Sequence, residues 1–312
     1  MKQMTRRERI RAAINREPVD RVPYAVWRHF PAVDTSPAGL AQSTLRFHER
    51  YGSDFLKITP AGGYAVEAWG CVEEDEVRPD GHRACARCAV RDADDWKKIR
   101  PLDPGAAPGY VEQIETIVRL GFDRRLGDAP VVPTLFSPLS LARKLSGDRL
   151  SNDLREHPDL VLGAVEAITE TLIRFAERCL GEGLAGIFYS IQARSTLTII
   201  HCHGEDLMFD RLARLPGHAW NWDDRATPPS LAQAAALVPG AVIGGLHQWR
   251  TLRDGTPDQA VAEAQDAIAQ TSGRGLIVGP GCVLPMNTPD ANVAAVIKEL
   301  GGPLKPLPGV QL

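Results

Sequence analysis

The sequence predicts an α/β protein whose parallel strands close into a (β/α)8 TIM barrel, and three observations carry that prediction. Short apolar and β-branched runs alternate with helical patterns from end to end, the pattern of βαβ units and a parallel sheet. Seven or eight such runs can be counted, which fits a closed barrel better than an open sheet. Polar clusters fall just after the strands, at the ends where such barrels carry their chemistry. The 312 residues suit a barrel of roughly 250 residues or more, so residues 1–312 read as one domain.

Thr5 and Glu8 form a capping box that opens a helix over residues 5–15, with Ile10, Ala13 and Ile14 as its buried stripe. Asp20-Arg21-Val22-Pro23 ends it, and 22–26 is a short strand. A helix over 38–51 and a strand over 54–59 follow. Residues 70–92 alternate around Pro79-Asp80-Gly81 and predict a β-hairpin insert that projects from the main fold. Residues 94–104 form a polar connection, and 109–120 a helix. A buried strand over 130–136 leads into Ser137-Pro138, a helix start with proline in its first turn. A long amphipathic helix covers 158–180, with strands at 184–191 and 197–201. The rest alternates: helix 205–214, strand 218–222, helix 230–237, strand 241–246, helix 257–271, strand 276–278, helix 289–300. One connection departs from the pattern. Residues 192–196 alone separate two strands, whereas a parallel crossover needs a dozen or more, so either one crossover is missing there or the two strands pair differently.

Composition narrows the function. With 44% hydrophobic and 24% charged residues the chain is globular. A net charge of −3 provides no basic stripe for phosphates, so no nucleic-acid partner is expected. No run of about eighteen apolar residues occurs, so no membrane span is expected. The N-terminus enters a charged amphipathic stretch without the apolar segment of a signal peptide, and a cytoplasmic location is expected. In a reducing compartment the six cysteines would be thiols or metal ligands. No dinucleotide-binding glycine fingerprint and no P-loop is present.

Candidate site residues sit at strand ends. His201-Cys202-His203-Gly204 follows one strand; His201 and His203 share a side of it, and Cys202 faces the opposite way into packing. Cys282, in a glycine-rich loop after the last strand, could reach both histidines. Two imidazoles and one thiolate suit Zn²⁺ and leave a fourth position open. Asn221, Trp222 and Asp223 are either substrate-lining or structural. His247 follows Gly244-Gly245-Leu246 and could be a metal ligand or general base. Glu205 and Asp206 are near the metal candidates, or cap a helix. His82, Cys85 and Cys88, with Cys71, resemble a second zinc knuckle. They fall short of paired Cys-x-x-Cys spacing, and on a strand Cys85 and Cys88 point to opposite faces, so they read as hairpin residues.

These residues also carry a resemblance. Thr5-x-Arg7-Glu8-Arg9, Pro18-x-Asp20-Arg21-Val22-Pro23, Ser53-Asp54-Phe55-Leu56-Lys57 and Gly279-Pro280-Gly281-Cys282-x-x-Pro285-x-x-Thr288-Pro289-x-x-Asn292 are similar, in that order, to the uroporphyrinogen decarboxylase superfamily. Two chemistries are implied. Its decarboxylases remove carboxyls from a tetrapyrrole without a cofactor, as a step of porphyrin biosynthesis. Its zinc methyltransferases move a methyl group between a corrinoid protein and a thiol. The resemblance carries Asp54 onto the family's catalytic aspartate and Ser190 near a substrate-contacting serine. The Arg-Gln-Ala-Gly-Arg loop of the decarboxylases is absent, with Arg28 the only nearby substitute. The family tyrosine near 141–144 is missing, and Cys282 stands where decarboxylases place a histidine. In the methyltransferases the turn reads His-x-Cys-Gly; here His203 replaces the cysteine.

The expectation is therefore a zinc-dependent methyltransferase, with His201, His203 and Cys282 as ligands and a corrinoid protein as partner. The alternatives are a cofactor-free decarboxylase centred on Asp54 and Arg28, and a non-catalytic binding barrel.

Overall fold

The computed structural model describes residues 3–121, 123–188 and 197–305. Thr5 caps α1 (Arg6–Ile14) through the reciprocal bonds with Glu8 that the sequence announced. Ser36 caps α2 (Pro37–Tyr51). Then come β1 (Leu56–Ile58), the antiparallel pair β2 (Val72–Val77) and β3 (Arg83–Arg87), α3 (Pro108–Gly121), β4 (Val131–Pro133), α4 (Pro138–Ser146), α5 (Leu150–Glu156) and α6 (Pro158–Gly181). The second half holds β5 (Gly186–Phe188), β6 (Leu197–His201), α7 (Phe209–Leu212), β7 (Ala219–Asn221), α8 (Leu231–Leu237), β8 (Ala241–Leu246), α9 (Pro257–Thr271), β9 (Leu276–Pro280) and α10 (Asp290–Glu299). Among the described residues no helix is long and apolar enough to cross a membrane.

The sheets that carry the site are parallel. β5 to β9 form one five-stranded sheet in chain order, and β1 pairs β4. Single bridges join Thr134 to Phe188 and Tyr24 to Val278, and the Asp54 N–H donates to the Tyr24 carbonyl at 2.8 Å. One apolar cluster draws on every one of these segments: Ala25 and Trp27, Phe55, Val132, Phe188, Ile199, Ala219, Ile243 and Ile277, with Ile10 and Ala13 of α1 added. Alternate residues of the same strands face outward. Leu56 and Ile58 pack with α3, α4 and α6, and Val242, Leu246 and Val278 pack with α9 and α10.

Several expectations change. Of the helix expected over 205–214 only the single turn α7 forms, and Glu205 and Asp206 are exposed ahead of it and cap nothing. Residues 94–104 are not wholly irregular, because Asp92 and Asp95 cap a 3₁₀ helix, Ala93–Lys98. β5 and β6 are parallel neighbours, and the short 192–196 connection lies outside the described residues. The β2–β3 pair does not stand clear of the fold at its turn. The Pro79 carbonyl accepts the Met286 N–H at 3.0 Å, and Gly81, at φ +91°, lies so close to His29 that a Cβ there would sit 2.4 Å from the His29 Cβ. Neither that backbone angle nor that contact admits another residue.

Asp54 is fully buried beneath β1. Its carboxylate accepts Arg9 Nη1 at 2.6 Å, Arg21 Nη1 and Nη2 at 2.7 and 2.9 Å, and the Tyr24 N–H at 2.9 Å. It precedes its strand, so it occupies the opposite end of the parallel strands from His201 and Cys282. There it ties α1 to the first strand segments and cannot act at the other mouth. Removing one partner of a buried ion cluster costs about 3–5 kcal/mol, and Asp54→Asn is expected to lose that much in urea unfolding. A loss below about 1 kcal/mol would show that the cluster does not hold this end. Asp20 adds a pH dependence. Its hydrogen bond from Arg9 outweighs burial and holds its carboxyl well below the ordinary range. A depressed carboxyl stabilises the fold above its unfolded pKa of about 4 and loses that contribution as pH falls. Asp20→Asn is expected to flatten the stability–pH curve below about pH 4.

Candidate metal centre

His201 closes β6, Asn221 closes β7, and Cys282 follows β9, so parallel strands deliver all three to one rim. His201, His203 and Cys282 each offer a ligand atom, and these atoms lie within 4.8 Å of one another. Among the described residues no other trio of His, Cys, Asp or Glu is so placed. Cys282 Sγ is 3.7 Å from His201 Nε2. Tetrahedral zinc with two nitrogens and a sulfur at about 2.0–2.3 Å spaces its donors roughly 3.3–3.6 Å apart. The trio therefore fits the metal by donor type, and a small inward shift of the ligand atoms would bring their spacing into that range. His203 is solvent-exposed, while His201 and Cys282 are half-buried.

Asn221 sets the orientation of His201. It is fully buried, and its Nδ2 donates to the Ile243 and Pro280 carbonyls at 3.0 and 3.1 Å. Its Oδ1 is thereby left to accept, and His201 Nδ1 lies 2.6 Å away. That bond puts the proton on Nδ1 and turns the Nε2 lone pair toward Cys282, the outer support that metal-bound histidines require. Asn221 therefore orients His201, and of the two readings the sequence left open its bonds match the structural one.

The closing loop is set by contact. A Cβ on Gly281 would meet the Asp223 Cα at 2.4 Å, so only glycine lets the loop bring Cys282 over β7. Burial alone would push the Cys282 thiol up. The hydrogen bonds and fields of His201 and His203 outweigh it and hold the thiol well below its usual value, which favours the ligand form. His203 is raised in turn, chiefly by Cys282.

The remaining candidates separate. Trp222 is fully buried, donates to the Pro229 carbonyl at 3.0 Å and packs on Phe209, so it belongs to the outer core and not to a substrate wall. Asp223 stays near the trio, and its Oδ2 accepts Gln248 Nε2 at 3.0 Å. His247 Nδ1 accepts the Trp249 and Arg250 N–H groups, both at 3.1 Å, an occupation that suits a turn cap and leaves it outside the trio. Arg28 shares the outward parity of Tyr24 and Val26, and its guanidinium lies over Phe30 and bonds the His29 carbonyl. It cannot clamp a substrate inside the strands. Ser190 lies outside the described residues. Cys202 packs outward beside Trp220 and Trp222, as alternation requires, and burial pushes its thiol up to about 12.

Lys57 escaped the sequence reading as a site residue. It lies on β1 with the inward parity of Phe55, and its Nζ is 4.6 Å from the Phe188 ring and 5.8 Å from Trp27. Only 8% of it is exposed. Burial pushes its ammonium down to about 8, and Cys282 partly restores it. Among the described residues no carboxylate lies within ion-pair distance. The available signal was a lysine at an inward position of a buried strand, where charge is rarely tolerated without a partner. A separate cavity of about 400 Å³ lies beside β2, lined by Asp34, Tyr64, Glu67, Cys71, Glu73 and Glu112; the trio does not line it.

Comparison with known proteins bears on the fold and the family. The family model described as Uroporphyrinogen decarboxylase (URO-D) matches residues 5–190 and 182–301. Two curated relatives, each named Methylcobamide:CoM methyltransferase MtbA, come from Methanosarcina mazei and Methanosarcina acetivorans. Each is 20% identical, over 96% of this chain and 98% of its own length. Among solved structures, a methyltransferase from Methanosarcina mazei superposes with a TM-score of 0.77 at 20% identity, covering 96% of this chain and 99% of that one. A B12-independent methionine synthase from Shewanella sp. W3-18-1 superposes at 0.56 and 12% identity, covering 90% and 91%. These likenesses establish the α/β fold with its parallel sheet, and the family match extends over nearly the whole chain: the protein is an enzyme of the uroporphyrinogen decarboxylase family, of its methyltransferase or decarboxylase kind.

Proposed function

We propose that the protein is a single (β/α)8 barrel with a β2–β3 hairpin insert, and that it moves a methyl group between a corrinoid carried by a partner protein and a small thiol bearing an anionic group. The observation that carries the reading is the trio itself: His201, His203 and Cys282 converge at one strand rim, with His201 aimed by Asn221. These three would hold Zn²⁺, and the metal would supply a Lewis acid that keeps a thiol deprotonated at neutral pH.

The chain's own residues do the rest. Asn221 fixes the His201 tautomer, and Gly281 permits the approach of Cys282. Lys57, a buried cation without a carboxylate partner, faces the same interior and would receive the thiol's anionic end. Exposed His203 marks the open side, where a partner protein could present its cofactor. The relatives named Methylcobamide:CoM methyltransferase support the methyl-transfer reading. The decarboxylase reading loses both of its central groups, because Asp54 is engaged at the far end and Arg28 faces outward.

Three outcomes are expected. Zinc binds at one equivalent, Cys282→Ala abolishes tight binding, and Asn221→Ala weakens it about 10- to 100-fold, measured against a chromophoric chelator. Transfer from methylcobalamin to a thiol is lost on chelation and with Cys282→Ala, and returns when zinc is restored to the wild type. Chelation-resistant release of carbon dioxide from a carboxylated tetrapyrrole, without methyl transfer, would overturn the reading. Lys57→Met is expected to raise KM for an anionic thiol about 10- to 100-fold, the worth of a charge-assisted hydrogen bond, while a neutral thiol of similar size is little affected.

A further inference from the structure

The remaining cluster of reactive side chains lies on the antiparallel pair, away from the trio. Cys85 belongs to β3, and strand alternation would place Cys88 on the opposite face. β3 ends at Arg87, however, and Cys88 lies beyond the strand, just before a bend at Ala89. The two Sγ atoms consequently lie 3.0 Å apart, inside ordinary sulfur–sulfur contact. A disulfide needs about 2.05 Å, so a movement of about 1 Å closes the bond.

The surroundings give the two thiols different tasks. Cys85 is exposed and Cys88 half-buried. Burial, aided by Cys85, pushes the Cys88 thiol up to about 12, which leaves Cys85 as the group that meets an incoming reagent. Cys71 also lies within hydrogen-bond reach of Cys85 but is held from the other side. It is buried, accepts the Ala89 N–H at 3.4 Å, and points its own S–H at the Lys144 carbonyl at 3.8 Å. His82 is not a fourth ligand here, since it faces Asp80 and meets the His29 ring edge to face. The cluster is therefore arranged as a dithiol and not as a zinc knuckle.

We propose that Cys85 and Cys88 are a reversible dithiol–disulfide site that takes low-molecular-weight disulfides as its oxidant. The Cys85 thiolate attacks one sulfur of R–S–S–R, forming a mixed disulfide and releasing one RS⁻. Cys88 gives its proton to solvent and attacks the Cys85 sulfur, releasing the second RS⁻. Two thiols of the protein are oxidised, one small disulfide is reduced to two RSH, and the ring Cys85-Ala86-Arg87-Cys88 is closed. The closed ring sits at the base of β3, whose other end joins the turn that contacts Met286 and His29.

The test equilibrates the full chain, as purified, with oxidised and reduced glutathione at neutral pH, followed by acid quench, alkylation and peptide mapping. The expected result is a Cys85–Cys88 bridge that reverses with reduced glutathione while Cys71, Cys179 and Cys202 remain alkylatable. Cys88→Ser should trap glutathione on Cys85, and Cys85→Ser should leave Cys88 unmodified. The proposal is overturned if both thiols remain alkylatable in fully oxidised glutathione. It is equally overturned if wild-type Cys85 keeps a stable glutathione adduct, or if Cys85 bridges to Cys71.

Discussion

Side chains along a strand face alternate sides, and nearly every feature of the site follows from that two-residue period acting on parallel strands. It sends His201 and His203 to one side and Cys202 to the other. It turns Asn221 inward to support His201 and Trp222 outward into the helical layer. On β1 it sends Phe55 and Lys57 inward and Leu56 and Ile58 outward. On the first segment it keeps Trp27 inside and takes Arg28 away. Parallel alignment then decides which end matters. Residues after a strand gather at the rim with Cys282, and Asp54, which precedes its strand, is committed to the opposite end.

The rim is held together by polar bonds that leave little freedom. Asn221 spends both Nδ2 hydrogens on carbonyls of β8 and β9 and its oxygen on His201, so one side chain ties three adjacent strands to the orientation of one imidazole. Its burial makes this demanding, since a buried amide left half-bonded would cost the fold directly. Lys57 shows the opposite economy. Among the described residues it is a buried cation supported only by aromatic faces and the field of Cys282, an arrangement better suited to receiving an anion than to stabilising the fold.

The two pieces matched by the family model overlap at residues 182–190, a stretch that contains β5. The alignment with the Methanosarcina mazei relative runs over 344 positions against 312 residues here, so that relative carries segments this chain lacks. β5 and β6 nonetheless stand as parallel neighbours in register, and the rim residues at the end of β6 keep their place beside β7 and β9.

The sequence by itself determined the α/β class, the family and most of the order of strands and helices, and it singled out His201, His203 and Cys282 as a group. These follow from local patterns: periodicity, capping boxes such as Thr5 with Glu8, and residue types at strand ends. Alternation also foretold that Cys202 would pack outward. Only the tertiary structure decided which polar residues act together, because partnership depends on which ends and faces of distant segments meet. It took Asp54 into an arginine cluster, gave Asn221 a positioning role, buried Trp222 and turned His247 into a cap. It also brought Cys85 against Cys88, where a strand ends one residue too soon for alternation to hold.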